Sequence, residues 1–305
     1  MIWRWVIKKV PRILGVFMAV TALTFMIGRI APPRHLFYML ARQMVDPVSV
    51  MMLDVDLHIR VRFLPQPSLA GNAVGGWALS PDGKQFVVSN SLDLMVMDNR
   101  GRFQRWLTQD KTNNYAPAWS PDGTKIAFVS NGDKDSEIYV IGIDGSNPIQ
   151  LTHNDVNDFT PSWSPDGKSI IFVTYAEADS GISVEIYVIN ADGSNPKRLT
   201  DNKFPDVSPL WSPDGKHILF TSDRDQDAAG YQLYMMNPDG SDQHLLVDTP
   251  VNVIAPRWSP DGQFILFQTN SRDQVYIVNA DGSGFRQLDI REHPLFGAVW
   301  FMPDL

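Results

Sequence analysis

Residues 163–200 read WSPDGKSIIFVTYAEADSGISVEIYVINADGSNPKRLT, and the Ser-Pro-Asp-Gly near its start occurs five times in the chain, this copy included. Ser-Pro-Asp-Gly stands at Ser80 to Gly83, Ser120 to Gly123, Ser164 to Gly167, Ser212 to Gly215 and Ser259 to Gly262, at spacings of 40, 44, 48 and 47 residues. Proline presets φ for a turn, aspartate bonds to nearby backbone, and glycine accepts the left-handed conformation that closes a hairpin. Each copy therefore reads as strand, turn, strand. Trp119, Trp163, Trp211 and Trp258 precede the serine directly, while the first copy has Leu79 there and Trp77 two residues earlier. Such large side chains are expected to fill the space between neighbouring sheets.

Downstream the register holds. Ile126 and Phe128, Ile170 and Phe172, Ile218 and Phe220, and Ile265 and Phe267 lie seven and nine residues after their tryptophans, the period of two that marks a strand. A third strand is predicted around Ile138-Tyr139, Ile186-Tyr187, Leu233-Tyr234 and Val275-Tyr276. An Asp-Gly turn follows at Asp144, Asp192, Asp239 and Asp281. The fourth strand ends in Leu151, Leu199, Leu246 or Leu288, and each of these, like Leu107, lies 12 residues before the next tryptophan, the last being Trp300. A four-stranded hairpin sheet cannot bury both its faces alone, and stacking such sheets around an axis solves that.

The order Trp-Ser-Pro-Asp-Gly, Ile-x-Phe, Ile-Tyr, Asp-Gly-Ser, Leu-Thr over residues 70 to 304 resembles the TolB-type, WD40-like (PD40) propeller repeat. The resemblance implies an all-β fold, a β-propeller of six blades. Five repeats are complete. Residues 297 to 303 supply the first strand of a composite closing blade and residues 57 to 64 an outer strand, with a five-bladed ring as the alternative. The separate α/β domain that TolB carries before its propeller is not recognisable, and an apolar run stands in its place.

That run, Ile13 to Gly28, is 16 residues without a charge, about 24 Å as a helix, and Ile30 extends it past Arg29. Ile13, Leu14, Phe17, Leu23, Phe25, Ile27 and Ile30 are its expected membrane-facing residues. Arg4, Lys8, Lys9 and Arg12 with Trp3 and Trp5 flank it, which predicts a single-pass anchor with its N-terminus cytoplasmic and the propeller in the periplasm or extracellular space. A cleaved signal peptide is the rival reading. The expected organisation is 1–31 basic flank and transmembrane anchor, 32–52 linker with a short amphipathic helix (Leu36, Phe37, Met39, Leu40, Met44), and 53–305 propeller.

Residues 1 to 45 hold seven basic side chains and no acid, so the remainder carries 26 − 7 = 19 basic against 34 acidic, a net of −15. A body so acidic argues against nucleic-acid binding, which needs a basic face. The absence of cysteine removes disulfides, thiol catalysis and cysteine zinc sites. The six histidines are scattered without a His-Glu-x-x-His pair, and no Gly-x-Ser-x-Gly elbow is present, so the chain is expected to be no enzyme and to need no cofactor or metal. Asp223, Asp225 and Asp227, and Asp133 with Asp135, read as solvated hairpin tips rather than calcium ligands.

In an up-and-down blade the tight turns share one rim and the connections of variable length share the other, where binding usually resides. Tyr115, Asp158, Phe159, Phe204, Asp206, Arg224, Asn252 and His293 are the candidate recognition surface. The expected function is protein–protein interaction in the cell envelope. An accessory subunit of a larger membrane complex is the alternative, and small-ligand binding in the axial channel the weaker one.

Overall fold

The computed structural model describes residues 76–288 apart from 91, 99–100, 111, 133–134, 179–180, 226–229 and 270–273, together with strands at 37–39, 51–55, 59–63 and 298–301. Every regular element among them is a strand. The first three are β1 (Phe37–Met39), β2 (Met51–Val55) and β3 (Ile59–Phe63). Blade 1 is β4 (Trp77–Leu79), β5 (Gln85–Ser89), β6 (Leu94–Asp98) and β7 (Phe103–Trp106). Blade 2 is β8 (Asn114–Trp119), β9 (Lys125–Ser130), β10 (Glu137–Gly142) and β11 (Ile149–Gln150), and blade 3 is β12 (Asp158–Trp163), β13 (Ser169–Ala178), β14 (Gly181–Asn190) and β15 (Lys197–Arg198). Blade 4 is β16 (Asp206–Trp211), β17 (Ile218–Ser222), β18 (Gln232–Met236) and β19 (His244–Val247), and blade 5 is β20 (Ile254–Trp258), β21 (Phe264–Gln268), β22 (Val275–Asn279) and β23 (Arg286–Leu288). The last strand, β24 (Ala298–Phe301), pairs antiparallel with β3, so a sixth four-stranded sheet runs β1-β2-β3-β24 and joins both ends of the chain.

That sheet refines the sequence reading twice. Residues 59–63 form its second strand rather than an outer one. Residues 37–39, expected within a short helix, are a strand paired with β2, Phe37 opposite Leu53. Leu36, Phe37, Met39 and Leu40 satisfy a helical stripe locally, but the backbone of a strand needs a partner, and a partner 12 to 16 residues away is invisible to a local period.

The turns are built by the chemistry their residues predict. In the second copy the Ser120 hydroxyl donates to Asp122 Oδ1 (2.6 Å) and accepts from the Lys125 amide (2.9 Å), while Gly123, at φ +70°, donates its amide to the Ser120 carbonyl (2.9 Å). The other four copies repeat this. The serine hydroxyl, then the backbone amide two residues on, hold Asp82, Asp122, Asp166 and Asp214 below the usual carboxylate range. These aspartates are occupied by their own turns.

The core lies between sheets. Val87, Leu94, Val96 and Leu107 of blade 1 pack on Ile126, Phe128 and Ile141 of blade 2, whereas Ala127, Val129, Ile138 and Val140 from the opposite face of blade 2 pack on Trp163, Ile170, Phe172 and Ile189 of blade 3. Middle strands are consequently buried on both faces, and β17 and β18 are buried throughout. The tryptophans sit in these seams as expected. The Trp119 indole donates to the Ala78 carbonyl of blade 1 (3.1 Å) and Trp163 to the Ala118 carbonyl of blade 2 (3.2 Å). Each Ile-x-Phe ring lies beside the Tyr opposite it, as Phe128 with Tyr139 at 5.7 Å and Phe220 with Tyr234 at 5.6 Å between centroids.

One repeated feature was not predicted. Ala116, Thr160, Ser208 and Ala255, each three residues before the tryptophan and followed by proline, have φ of +49°, +50°, +55° and +48°. The innermost strand bulges at each of them. Left-handed backbone costs a β-branched residue about 1–2 kcal/mol, and Thr160 is exposed, so its side chain returns little. Thr160→Gly is expected to stabilise the protein by about 1 kcal/mol, a rise in Tm of roughly 2–4 °C. A Tm at or below that of the parent would show that the bulge is not strained.

Candidate functional site

The variable-loop rim is assembled from the first residues of β8, β12, β16 and β20 and from the connections after the second strands. Tyr115 and Phe159, each four residues before its tryptophan, are half-buried there. The Tyr115 hydroxyl is bonded to Ser136 Oγ (3.0 Å), and Phe159 meets Tyr175 edge-on at 5.3 Å, leaving Tyr175 39% exposed. Desolvation is the main cause that raises the pKa of Tyr115 and of Tyr231. Phe204 is half-buried on the next link with the Lys203 ammonium 5.1 Å from its ring centre, and Asn252 Oδ1 accepts the Tyr231 amide (2.8 Å). His293 lies outside the described residues, as do Asp133 and Asp227.

Asp158, Asp206 and Arg224 are placed otherwise than a contact surface requires. Both aspartates are fully buried at the start of their strands. Asp206 is gripped by Arg224 Nη2 at 2.8 and 2.7 Å, and the guanidinium also lies over Tyr234 at 4.8 Å and Phe220 at 5.3 Å. Arg224 turns inward between Asp223 and Asp225; burial, then the charge of Asp206, raises the pKa of Asp223. The reason is positional: the first residue of an innermost strand points into the seam, and the residue after it reaches the rim.

Beneath the rim runs a polar row that the sequence reading missed. Glu137 and Gln232 open the third strands of blades 2 and 4, Glu185 holds the corresponding place within the longer β14 of blade 3, and all three are buried. Each is bonded to the link leading to the next blade: Glu137 to the Thr152 hydroxyl and the Asn154 amide (3.0 Å), Glu185 to the Asn202 amide (3.0 Å), Gln232 to the Thr249 hydroxyl (2.7 Å) and amide (3.0 Å). The threonine of each Leu-Thr pair thus has a task, since Thr152 and Thr200 also accept the amides of Ile138 and Ile186 (both 2.9 Å). A signal existed, because these residues directly precede Ile138-Tyr139, Ile186-Tyr187 and Leu233-Tyr234. Away from the rim, Phe103 and Trp106 form a second exposed pair, 5.4 Å apart, on the outermost strand of blade 1.

Sheets of four antiparallel strands, sharing cores only with their neighbours and carrying locked turns on one rim, define a β-propeller. The chain belongs to the TolB beta propeller domain family (PD40), whose model matches residues 68–184 and 177–290. It is similar to the Tol-Pal system protein TolB of Thioalkalivibrio sulfidiphilus, 42% identical over 53 residues, 17% of this chain and 12% of that protein. It is also similar to dipeptidyl-peptidase 5 of Porphyromonas gingivalis, 33% identical over 108 residues, 32% of this chain and 16% of the peptidase. The chain therefore spans under a fifth of the length of these curated relatives. Among solved structures, a putative TolB from Agrobacterium tumefaciens superposes with a TM-score of 0.60 at 24% identity, covering 70% of this chain and 79% of that one. An oligogalacturonate lyase from Vibrio parahaemolyticus does so with a TM-score of 0.56 at 15% identity, covering 85% and 80%, a likeness of fold alone.

These relatives correct one expectation. The absence of catalytic motifs led the sequence reading to set enzymes aside, yet the peptidase match places this chain among relatives that include enzymes. A propeller scaffold is shared by binding proteins and by enzymes alike, and motif absence does not separate them.

Proposed function

We propose that the loop rim of blades 2 to 4 is a protein-binding surface and that the protein works in the cell envelope, tethered by the apolar run Ile13 to Ile30. A TolB-like propeller suggests a protein-interaction role in the envelope, which supports the reading. The observation that carries it is the contrast between rims. Aspartates of the turn rim are bonded within their own turns, whereas the loop rim presents Phe159 packed edge-on to a 39% exposed Tyr175, the kind of aromatic anchor that dominates interfaces. The tether rests on the uncharged run and its basic flank. Those residues lie outside the described ones, and among the described residues no helix is long and apolar enough to cross a membrane.

The test is photo-cross-linking in cells of the full-length chain. A photoreactive residue at Tyr175 is expected to give a discrete product with one partner. The same residue at Lys168, on the turn rim, is expected to give none. Phe159→Ala together with Phe204→Ala should weaken recovery of that partner at least tenfold, about 1.4 kcal/mol or more. Products from position 168 alone, or undiminished recovery by the double variant, would overturn the assignment.

A further inference from the structure

The buried row beneath the rim differs from seam to seam in one respect, its charge balance. Between blades 1 and 2 the row holds Asp93 and Asn114, joined through the Thr108 hydroxyl (3.1 and 3.2 Å). Between blades 4 and 5 the corresponding residues are Gln232 and Val253, which carry no charge. Between blades 3 and 4 they are two acids, Glu185 and Asp206, and two arginines answer them: Arg198 Nη2 lies 3.0 Å from Glu185 Oε1 and Arg224 Nη2 lies 2.7 Å from Asp206 Oδ2. Between blades 2 and 3 they are again two acids, Glu137 and Asp158, 1% and 0% exposed. Here Gln150 stands where Arg198 stands in the next seam, and no lysine or arginine among the described residues is bonded to either carboxyl.

Two buried carboxylates without a cation cannot both be ionised cheaply, and the usual resolution is a shared proton. The surrounding bonds favour the ionised carboxyls and only partly offset the burial that raises both. Thr152 donates to Glu137 Oε2, the Asn154 amide to Glu137 Oε1 (3.0 Å), the Asn154 side-chain amide to Asp158 Oδ2 (2.8 Å), and the Thr174 hydroxyl to Asp158 Oδ1 (2.6 Å). The other titratable groups that face the pair are Asp135 from the β9–β10 connection and Tyr187 from β14, and an ionised Asp135 adds to the repulsion. Asp158 directly precedes Phe159, and Thr174 directly precedes Tyr175. Both members of the exposed aromatic pair therefore hang from residues bonded into this cluster.

We infer that the Glu137–Asp158 pair is a proton-held latch that fastens the link 152–157 and, through it, the Phe159–Tyr175 patch, and that loss of the shared proton releases both. Burial, the largest cause, pushes Glu137 up from 4.5 to about 7, and burial raises Asp158 as well. Because the folded carboxyl holds its proton to a higher pH than the unfolded one, its contribution to stability is complete below about 4.5 and is lost as pH rises to about 7. The latch is closed in acid and open above neutrality. Its consequence for recognition rests on the binding surface proposed above; the latch itself does not.

Hydrogen exchange of the full chain tests it without a partner. Every measurement is made in a His153→Gln background, so that the exposed imidazole on the same link contributes nothing. Protection of the Asn154 amide, corrected for intrinsic exchange, is expected to fall at least tenfold between pH 6 and pH 8. Glu137→Gln, which installs the residue blade 4 already carries there, should abolish that fall, and Asp158→Asn, after Asn114, should do the same if the first variant folds poorly. The Asn202 amide, in the arginine-balanced seam, should show no such fall. Protection that is flat with pH in the parent, or a fall that persists in both variants, would overturn the latch. Cross-linking from Tyr175 at pH 6 and pH 8 then separates the two ideas: a latch that opens without altering the product retains the device and removes its link to recognition.

Discussion

Arg224→Met is expected to destabilise the protein by about 3–5 kcal/mol, lowering Tm on the order of 10 °C, although Arg224 lies on a loop. The variant keeps much of the apolar stem over Phe220 and Tyr234 but removes the guanidinium that answers Asp206 at 2.7 Å and bonds Ser222 Oγ (3.0 Å) and Gln243 Oε1 (3.0 Å). Asp206 is 0% exposed, so its charge is left without a cation in a place water does not reach, with the Asn202 side-chain amide (2.7 Å) still donating to it. The cost belongs to the orphaned acid more than to the lost attraction, and a double variant shows which. Asp206→Asn with Arg224→Met should recover more than half of the loss, since blade 2 carries Asn114 at that position and buries it fully. Thermal unfolding of the parent, the single and the double variant decides the matter. A single variant within 1 kcal/mol of the parent would mean that Arg224 is no brace and is free to meet a ligand, as its sequence position in a variable loop suggested.

That reversal shows which parts of the molecule a sequence can reveal. Turns are written in residues whose effect is local: proline, aspartate and glycine act within four positions, so the five copies fix the hairpins, and the spacing of Leu107 to Trp119 and its successors fixes the blade. Seam fillers follow from the same register, and Trp119, Ile126 and Phe128 lie where it predicts. The loop rim was legible as a region and less so residue by residue. Phe159 and Tyr115 reach the rim half-buried while the residues before them, Asp158 and Asn114, are fully buried, a distinction set by which of two alternating positions turns into the seam. A residue before proline is expected to be extended, and Thr160 at φ +50° is not. The polar row was hidden by loop length. Glu137 follows Trp119 by 18 residues and Glu185 follows Trp163 by 22, so counting from the tryptophans conceals their equivalence. The reading that excluded enzymes failed for another reason: it treated missing motifs as information about a scaffold that many chemistries share.

The Asp-Gly-Ser turns offer the sharpest test of how tightly neighbouring blades approach, because the same substitution there meets four different distances. Gly145, Gly193, Gly240 and Gly282 have φ of +86°, +86°, +87° and +82°, so alanine carries the same backbone penalty at each, about 1–2 kcal/mol. What differs is the preceding blade. A Cβ on Gly145 would lie 3.4 Å from the Leu107 carbonyl oxygen and on Gly193 3.5 Å from that of Leu151, which is tolerable contact. On Gly240 it would lie 2.7 Å from the Leu199 oxygen, and on Gly282 it would overlap the Leu246 oxygen outright. Those oxygens belong to backbone and cannot swing aside, so relief requires the fourth strand of the preceding blade to move and the seam beneath it, with Leu219, Ile265 and Phe267, to loosen. Gly145→Ala should cost about 1–2 kcal/mol and Gly282→Ala at least about 3 kcal/mol, with Gly240→Ala between them, read as Tm in one buffer. Equal losses at all four positions would mean that φ alone governs these turns. A graded loss would locate the tightest of these four joins between blades 4 and 5, where an insertion or a ligand that pries those blades apart would meet the greatest resistance among them.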